Sequence, residues 1–307
     1  MIWNPERIPD QTGRTIAVTG ATAGIGYFAA EQLARAGASV VLASRSAAKL
    51  NVAQATLRSH VPGASLSSVV IDMTSLDSVA RAGETLAAGP HLDGILLNAG
   101  VMTATRGATT VDGLPVMMAS HAIGNFSLVA HLLPTLVGGS EGSETRIVHT
   151  STGFVRRFRM AVDDITRTPW PSIAAYTQAK TVTEIFAFEL DRRLRAAELP
   201  VASLVTHPGV GVDAKTPRRA GIRDETTHYQ RNPYTPWAQG KDSAAWSAVR
   251  ALTDPSAASG EYYGPREGLR GLPIAIEPLP RTARPDGDLS ARVWEQLERL
   301  SGAHALA

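Results

Sequence analysis

From Thr15 to Gly209 the chain alternates short, β-branched apolar runs with longer amphipathic ones, and this rhythm restricts the folds open to it more than any other feature. The first run, "TIAVTG", reads as a buried strand closed by glycine. "IGYFAAEQLARAG" follows as a helix ended by Gly37, and "SVVLASR" is a second strand running into another helical stretch. Strand, helix and strand in that order make a parallel βαβ unit. The alternation continues through "SLSSVVID", a helix from about Ser75 to Ala87, "GILLNAG", a long helix through "MMASHAIGNFSLVAHLLPTL", "RIVHTST", a helix bearing "AYTQAK", and "PVASLVTHPG". Six or seven such strands imply an α/β protein with a doubly wound parallel sheet and ligands at the strands' C-terminal ends.

One domain fits 307 residues without a long low-complexity linker, and we place it at residues 12–307 with residues 1–11 as an N-terminal extension. Two irregular stretches break the rhythm: residues 153–173, rich in arginine and proline, and residues 211–240. Loops of that length in a compact domain are functional lids or disordered segments. Tyr229, Tyr234 and Trp237 favour a small substrate lid at 211–240. "VGGSEGSE" at 137–144 reads as a surface turn and "RRFR" at 156–159 as a solvated basic loop.

Composition removes several classes of function. A formal charge of +2 with 19% charged residues is far from a nucleic-acid binder. The absence of cysteine excludes disulfides, a thiolate nucleophile and a cysteine-based zinc site. His60, His91, His131, His149 and His228 are scattered without ligand spacing, so no metal site is expected. The first residues lack the basic and apolar regions of a signal peptide, and no run of eighteen apolar residues follows. The expectation is a soluble cytoplasmic protein with no membrane span.

The turn after the first strand, "TGATAGIG", places Gly20, Gly24 and Gly26 where side chains would block the approach of backbone to a phosphate, with Ile25 counted as a further cofactor contact between the last two. The following helix start offers N–H groups and a partial positive charge to a pyrophosphate. The spacing is not GxGxxG, so its place at the first strand carries the weight. The second strand ends "ASRS". An acidic residue there would bind a free ribose 2′-hydroxyl, whereas Arg45 offers a fork suited to a 2′-phosphate, with Ser44, Ser46 and Thr22 as hydroxyl partners. NADP(H) is expected over NAD(H).

Tyr176 and Lys180 are one helical turn apart and share a face. Phenol, with a pKa near 10, is a poor base at neutral pH, and a cation within about 4–6 Å favours the phenolate. Such a tyrosine could exchange a proton with an alcohol or ketone oxygen.

With "TGATAGIG", "NAG" at 98–100, "STG" at 151–153, "YTQAK" and "HPG" at 207–209 in this order, the sequence resembles the short-chain dehydrogenase/reductase family over nearly its whole length. "RIPDQTGRTIAVTG", "ASRS", "IDMTSLDSV" and "EYYGP" are similar to the retinol-dehydrogenase-like and WW-domain-oxidoreductase-like branch. The resemblance implies a Rossmann-type sheet and NAD(P)-dependent alcohol–carbonyl chemistry. It also implies Asp72 and Met73 against adenine, Asn98, Ala99 and Gly100 against the adenosine ribose and central strands, and Pro208, Gly209 and Val210 beside nicotinamide. Tyr176 would be the acid/base and Lys180 its activator and a ribose-hydroxyl donor, so both also count as cofactor contacts. Relatives form dimers or tetramers, which leaves a homo-oligomer open.

The sequence departs from the family at three places. The catalytic serine falls on Thr152, with Ser151 before it, and either hydroxyl could serve, Thr152 with the better register. His121 stands where relatives have an asparagine that helps hold a water joining lysine to solvent; imidazole could act in that relay, adding a pH limb near about 6–7, or simply pack in its helix. Asp213 takes the place of a threonine that touches the cofactor amide. The reading is an NADP(H)-dependent oxidoreductase acting on a small apolar or aromatic carbonyl or alcohol. The alternative, a catalytically silent NADP(H) sensor or scaffold, rests on His121 and Asp213.

Overall fold

The computed structural model describes residues 3–138, 144–227 and 232–306. Its strands are β1 (Thr15–Thr19), β2 (Ser39–Ser44), β3 (Leu66–Val70), β4 (Gly94–Leu97), β5 (Thr145–Thr150), β6 (Val201–Thr206), β7 (Tyr262–Pro265) and β8 (Pro273–Ala275). They form one sheet in the order β3-β2-β1-β4-β5-β6-β7-β8. Every pairing is parallel except β7 with β8. The sheet is therefore the expected doubly wound, Rossmann-type one, and the order reverses between β1 and β4, where such sheets open a crevice. Eight strands exceed the six or seven expected because β8 has only three residues and begins with proline, a form tolerated at a sheet edge but without a readable period.

Burial on both faces explains why the strands read as continuous apolar runs. On β1, Ile16 and Val18 face one core and Ala17 the other; on β2, Val40 and Leu42 oppose Val41 and Ala43. The helices that cover them are α1 (Gly24–Arg35), α2 (Ala47–His60), α3 (Leu76–Ala87), α4 (Val116–Met118), α5 (Gly124–Leu136), α6 (Gly153–Arg157), α7 (Ser172–Ala196), α8 (Lys241–Ala244), α9 (Trp246–Thr253), α10 (Pro280–Ala283) and α11 (Leu289–Ser301). Gly37 ends α1 as expected: at φ +97° it lets Ala38 N–H reach Leu33 O at 3.1 Å. In α11, Trp294 is 1% exposed and sets its ring edge against Phe126, with centroids 5.1 Å apart.

The long helix is not a regular α-helix. A π-helical turn at Ala119–Ile123, centred on His121, joins α4 to α5. Val116–Leu136 is on average apolar enough, and long enough, to cross a bilayer, yet 89% of its most apolar window is buried inside the protein, where it packs on α3, α7 and α11.

Residues 211–240 form an excursion whose two ends are pinned together. Val212 N donates to Gln239 O and Gln239 N to Val210 O, both at 2.9 Å. Between them lie two short 3₁₀ turns, Asp213–Lys215 and Thr235–Trp237. Tyr229 and His228, like residues 139–143 of the glycine-rich turn, lie outside the described residues. At the other end of the chain, Trp3 is 6% exposed and its indole donates to Thr253 Oγ1 at 3.1 Å, fastening the N-terminal extension to α9.

Candidate active site

The glycine turn sits where β1 meets β4. Gly20 has φ +71° and Gly24 φ +55°, conformations that L side chains rarely adopt. A Cβ on Gly26 would come 2.4 Å from Gly20 O and 2.6 Å from Asn98 Nδ2, so α1 can approach the strand ends only with hydrogen there. Helix α1 begins at Ala23 with no side-chain cap, whereas α2 and α3 are capped by Ser46 and Ser75. Uncapped N–H groups on a glycine turn are what a pyrophosphate binds, so the residues present fit the group.

Around this turn the expected cofactor contacts divide into exposed and structural ones. Arg45 is exposed, and beside it the hydroxyls of Thr22 and Ser44 lie 3.0 Å apart. Ile25 is half-buried. Asp72 is half-buried and accepts from Thr74 N and Oγ1 through Oδ1. Met73 is buried, its side chain packed toward Gly124, so its backbone is the part that can meet a ligand. Asn98 donates to Thr19 O at 3.1 Å, and the N–H groups of Asn98 and Ala99 both reach Thr19 Oγ1, which ties the end of β4 to that of β1. Gly100 serves His121: a Cβ there would fall 1.9 Å from the imidazole.

At the end of β6, His207 is held neutral by burial, its pKa lowered to about 4. Its Nδ1 accepts from Gly209 N at 3.2 Å and so shapes the turn. Gly209 has φ +66°, and a Cβ on it would strike Leu269 O at 2.3 Å. Pro208 O accepts from Gln239, and Val210 N donates to Leu269 O. Asp213 is held in an ion pair, its Oδ1 2.6 Å from Lys241 Nζ. Lys241 was not foreseen. Its Cδ lies 3.7 Å from the Cβ position of Gly24 while its ammonium pairs with Asp213, so the side chain runs past the glycine turn, and nothing in "GKDSAA" signals that placement.

The reacting end is buried. Tyr176 is 8% and Lys180 2% exposed. The Lys180 ammonium lies 5.9 Å from the Tyr176 ring centroid and donates to Thr150 O at the end of β5. Thr152 lies near enough to Tyr176 for its hydroxyl to pull the pKa of the phenol down, and its oxygen accepts from Phe154 N at 3.4 Å. Ser151, by contrast, turns its hydroxyl to Glu184 Oε1 at 2.5 Å. The pleat of β5 and its extension sends successive side chains to opposite sides, and Thr152 is the one facing the phenol.

Burial, more than the neighbouring charge, sets the acidity of these groups. It pushes the Tyr176 phenol up to about 12, against the downward pull of the Thr152 hydroxyl. It pulls Lys180 down to about 7, against the upward pull of Glu184. Tyr176 is thus a phenol at neutral pH in the protein alone, and the lysine titrates in the physiological range.

His121 packs edge-on against Tyr176, with centroids 5.2 Å apart. Its Nε2 donates to Val101 O at 2.7 Å, which leaves Nδ1 as an acceptor, buried and without a partner. Burial and the Lys180 charge hold its pKa well below the ordinary value, so no titration limb near 6–7 is expected from it. The π turn also turns the His121 carbonyl toward side chains: Asn125 Nδ2 and Thr183 Oγ1 donate to it at 2.7 and 3.0 Å. Glu184 was missed as well, although it continues the four-residue spacing of Tyr176 and Lys180.

A parallel sheet with a phosphate-sized turn at its switch point, and a buried tyrosine and lysine beside it, is the architecture of a nicotinamide-dependent oxidoreductase. Comparison with known proteins makes that specific. The family described as short chain dehydrogenase matches residues 14–222. A polyprenol dehydrogenase from Mus musculus is 35% identical over 98% of this chain and 88% of its own length. Retinol dehydrogenase 13 from Homo sapiens is 29% identical over 95% and 86%. Among solved structures, an uncharacterized protein from Mycobacterium paratuberculosis is 26% identical with a TM-score of 0.79, covering 99% of both chains. The chain belongs to the short-chain dehydrogenase/reductase family, in its retinol-dehydrogenase-like branch, and is an NAD(P)-dependent oxidoreductase of that family.

Proposed function

We propose that the protein is an NADP(H)-dependent oxidoreductase that interconverts an aldehyde or ketone with its alcohol on an apolar substrate. The observation that carries this reading is the buried Tyr176 with the Lys180 ammonium 5.9 Å from its ring and the Thr152 hydroxyl nearby. The glycine turn and the uncapped start of α1 would hold a dinucleotide's phosphates, and Arg45 with Thr22 and Ser44 its 2′-phosphate. Bound there, the nicotinamide supplies hydride exchange.

The chain's own residues do the rest. Thr152 donates a hydrogen bond to the substrate oxygen and fixes its direction. Tyr176 holds the proton that the oxygen gains in reduction, and its phenol form at neutral pH suits that direction. Lys180, when cationic, stabilises the phenolate left behind. The bare Nδ1 of His121 is an acceptor placed to order a water of the proton relay.

Support for an apolar substrate comes from the loops after β4, β5 and β6, all at the same edge of the sheet, which expose Met102, Phe158, Trp170 and Trp237. Two relatives are named for isoprenoid alcohols, so isoprenoid aldehydes head the panel. The test is loss of NADPH absorbance with long-chain isoprenoid, aliphatic and aromatic aldehydes and ketones. Turnover that improves with apolar chain length is expected. Tight NADPH binding with no turnover on any member would instead make the protein a sensor.

A further inference from the structure

Helix α7 carries a third polar group on the face of Tyr176 and Lys180. Glu184 lies one turn beyond the lysine and is fully buried. Three hydroxyls donate to its carboxylate: Ser151 at 2.5 Å and Tyr262 at 2.9 Å on Oε1, and Thr282 at 2.8 Å on Oε2. They come from the end of β5, from β7 and from α10, so three other elements converge on one acid. An ionised carboxylate is acceptor-only and is matched by three donors, whereas the neutral acid would also need an acceptor for its own O–H. Burial raises the pKa of this acid above the ordinary carboxylate value, and the three hydroxyls pull it back toward the ionised form.

A buried anion of this kind persists where a cation shares its surroundings. Lys180 is such a cation, and it feels the charge of Glu184. The groups that face the pair from other elements are His121 in the π turn, His149 on β5, Tyr262 on β7 and Arg156 on α6. Burial, together with the lysine's own charge, keeps both histidines neutral, and Tyr262 stays a phenol. Arg156 is exposed at the protein surface. The carboxylate is therefore the group in this cluster that supports an ammonium on Lys180.

We propose that Glu184 is a positioning residue of the active site, whose charge raises the share of Lys180 that is cationic at neutral pH without touching the reacting atoms. The proposal rests on the reading that Lys180 serves Tyr176. The sign is fixed: a lysine whose anion is removed gives up its proton at lower pH.

The test uses the full chain labelled with ¹³C at lysine Cε. The sequence holds four lysines, Lys49, Lys180, Lys215 and Lys241, so Lys180 is assigned by the resonance that disappears in Lys180→Met. In Glu184→Gln, which keeps shape and one acceptor oxygen, the titration midpoint of Lys180 is expected to fall by about one pH unit or more, and the alkaline limb of carbonyl reduction to fall with it. Tyr262→Phe, which removes one donor and so weakens the anion, should move both in the same direction by less. A Lys180 midpoint unchanged in both variants overturns the proposal, whatever happens to turnover. A midpoint that falls while the alkaline limb stays put upholds the Glu184–Lys180 coupling and overturns the role of Lys180 in the reaction.

Discussion

The two ends of the crevice work by opposite means. At the β1–β2 end, the proposed recognition would be done by backbone and by exposed side chains: Gly20 and Gly24 at positive φ, an uncapped helix start, and Arg45 in solvent. At the β5–β7 end, Tyr176, Lys180, Glu184 and His121 are all buried, and their surroundings rather than their identities set their protonation. A binding end can be open because a phosphate brings its own charge. A proton-transfer end must be enclosed, because only low dielectric makes a nearby charge worth several pKa units.

The sharpest way to break this contrast is Tyr176→Phe. Turnover should fall by about 10³-fold or more while NADPH affinity, measured by fluorescence titration, stays within a factor of about two. A comparable loss in both would mean that the two ends are not separable.

Next in size is the comparison of the two hydroxyls. Thr152→Val is expected to lower kcat by about 10²–10³-fold. Ser151→Ala should leave kcat within about tenfold but lower stability by ~1–3 kcal/mol in urea melts, because a donor to buried Glu184 is lost. Reversed rankings would put Ser151 at the substrate.

At the open end, Arg45→Asp should shift the ratio of kcat/KM for NADPH over NADH by about 10- to 100-fold toward NADH, the range of a charge-assisted hydrogen bond. An unmoved ratio would remove Arg45 from the phosphate site. The smallest effect is expected from Gly26→Ala, about 1–3 kcal/mol of destabilisation as Gly20 and Asn98 give way. Thermal melts with and without NADPH would show whether the binding end also loses affinity.

Legibility in the sequence follows the same divide. The βαβ rhythm, the switch-point crevice and the glycine turn could be read from residue types because local rules govern them: period, turn chemistry and φ. The tyrosine–lysine pair could be read only through the family resemblance of the ordered motifs, since its spacing alone fits a packed tyrosine beside a solvated lysine equally well. Three features could not. The choice between Ser151 and Thr152 depended on which hydroxyl Glu184 captures across 33 positions of sequence. The need for glycine at Gly100 came from an imidazole twenty-one residues away. Lys241 reached the phosphate turn from the far side of the excursion at residues 211–240.

What the sequence determined alone was the architecture and the identity of the groups that could react, since apolar periodicity and backbone freedom are written residue by residue. The state of those groups was decided by the tertiary structure. A phenol raised to about 12 and an ammonium lowered to about 7 are consequences of how much water the fold removes and which buried carboxylate it brings alongside, and no short stretch of chain carries that information.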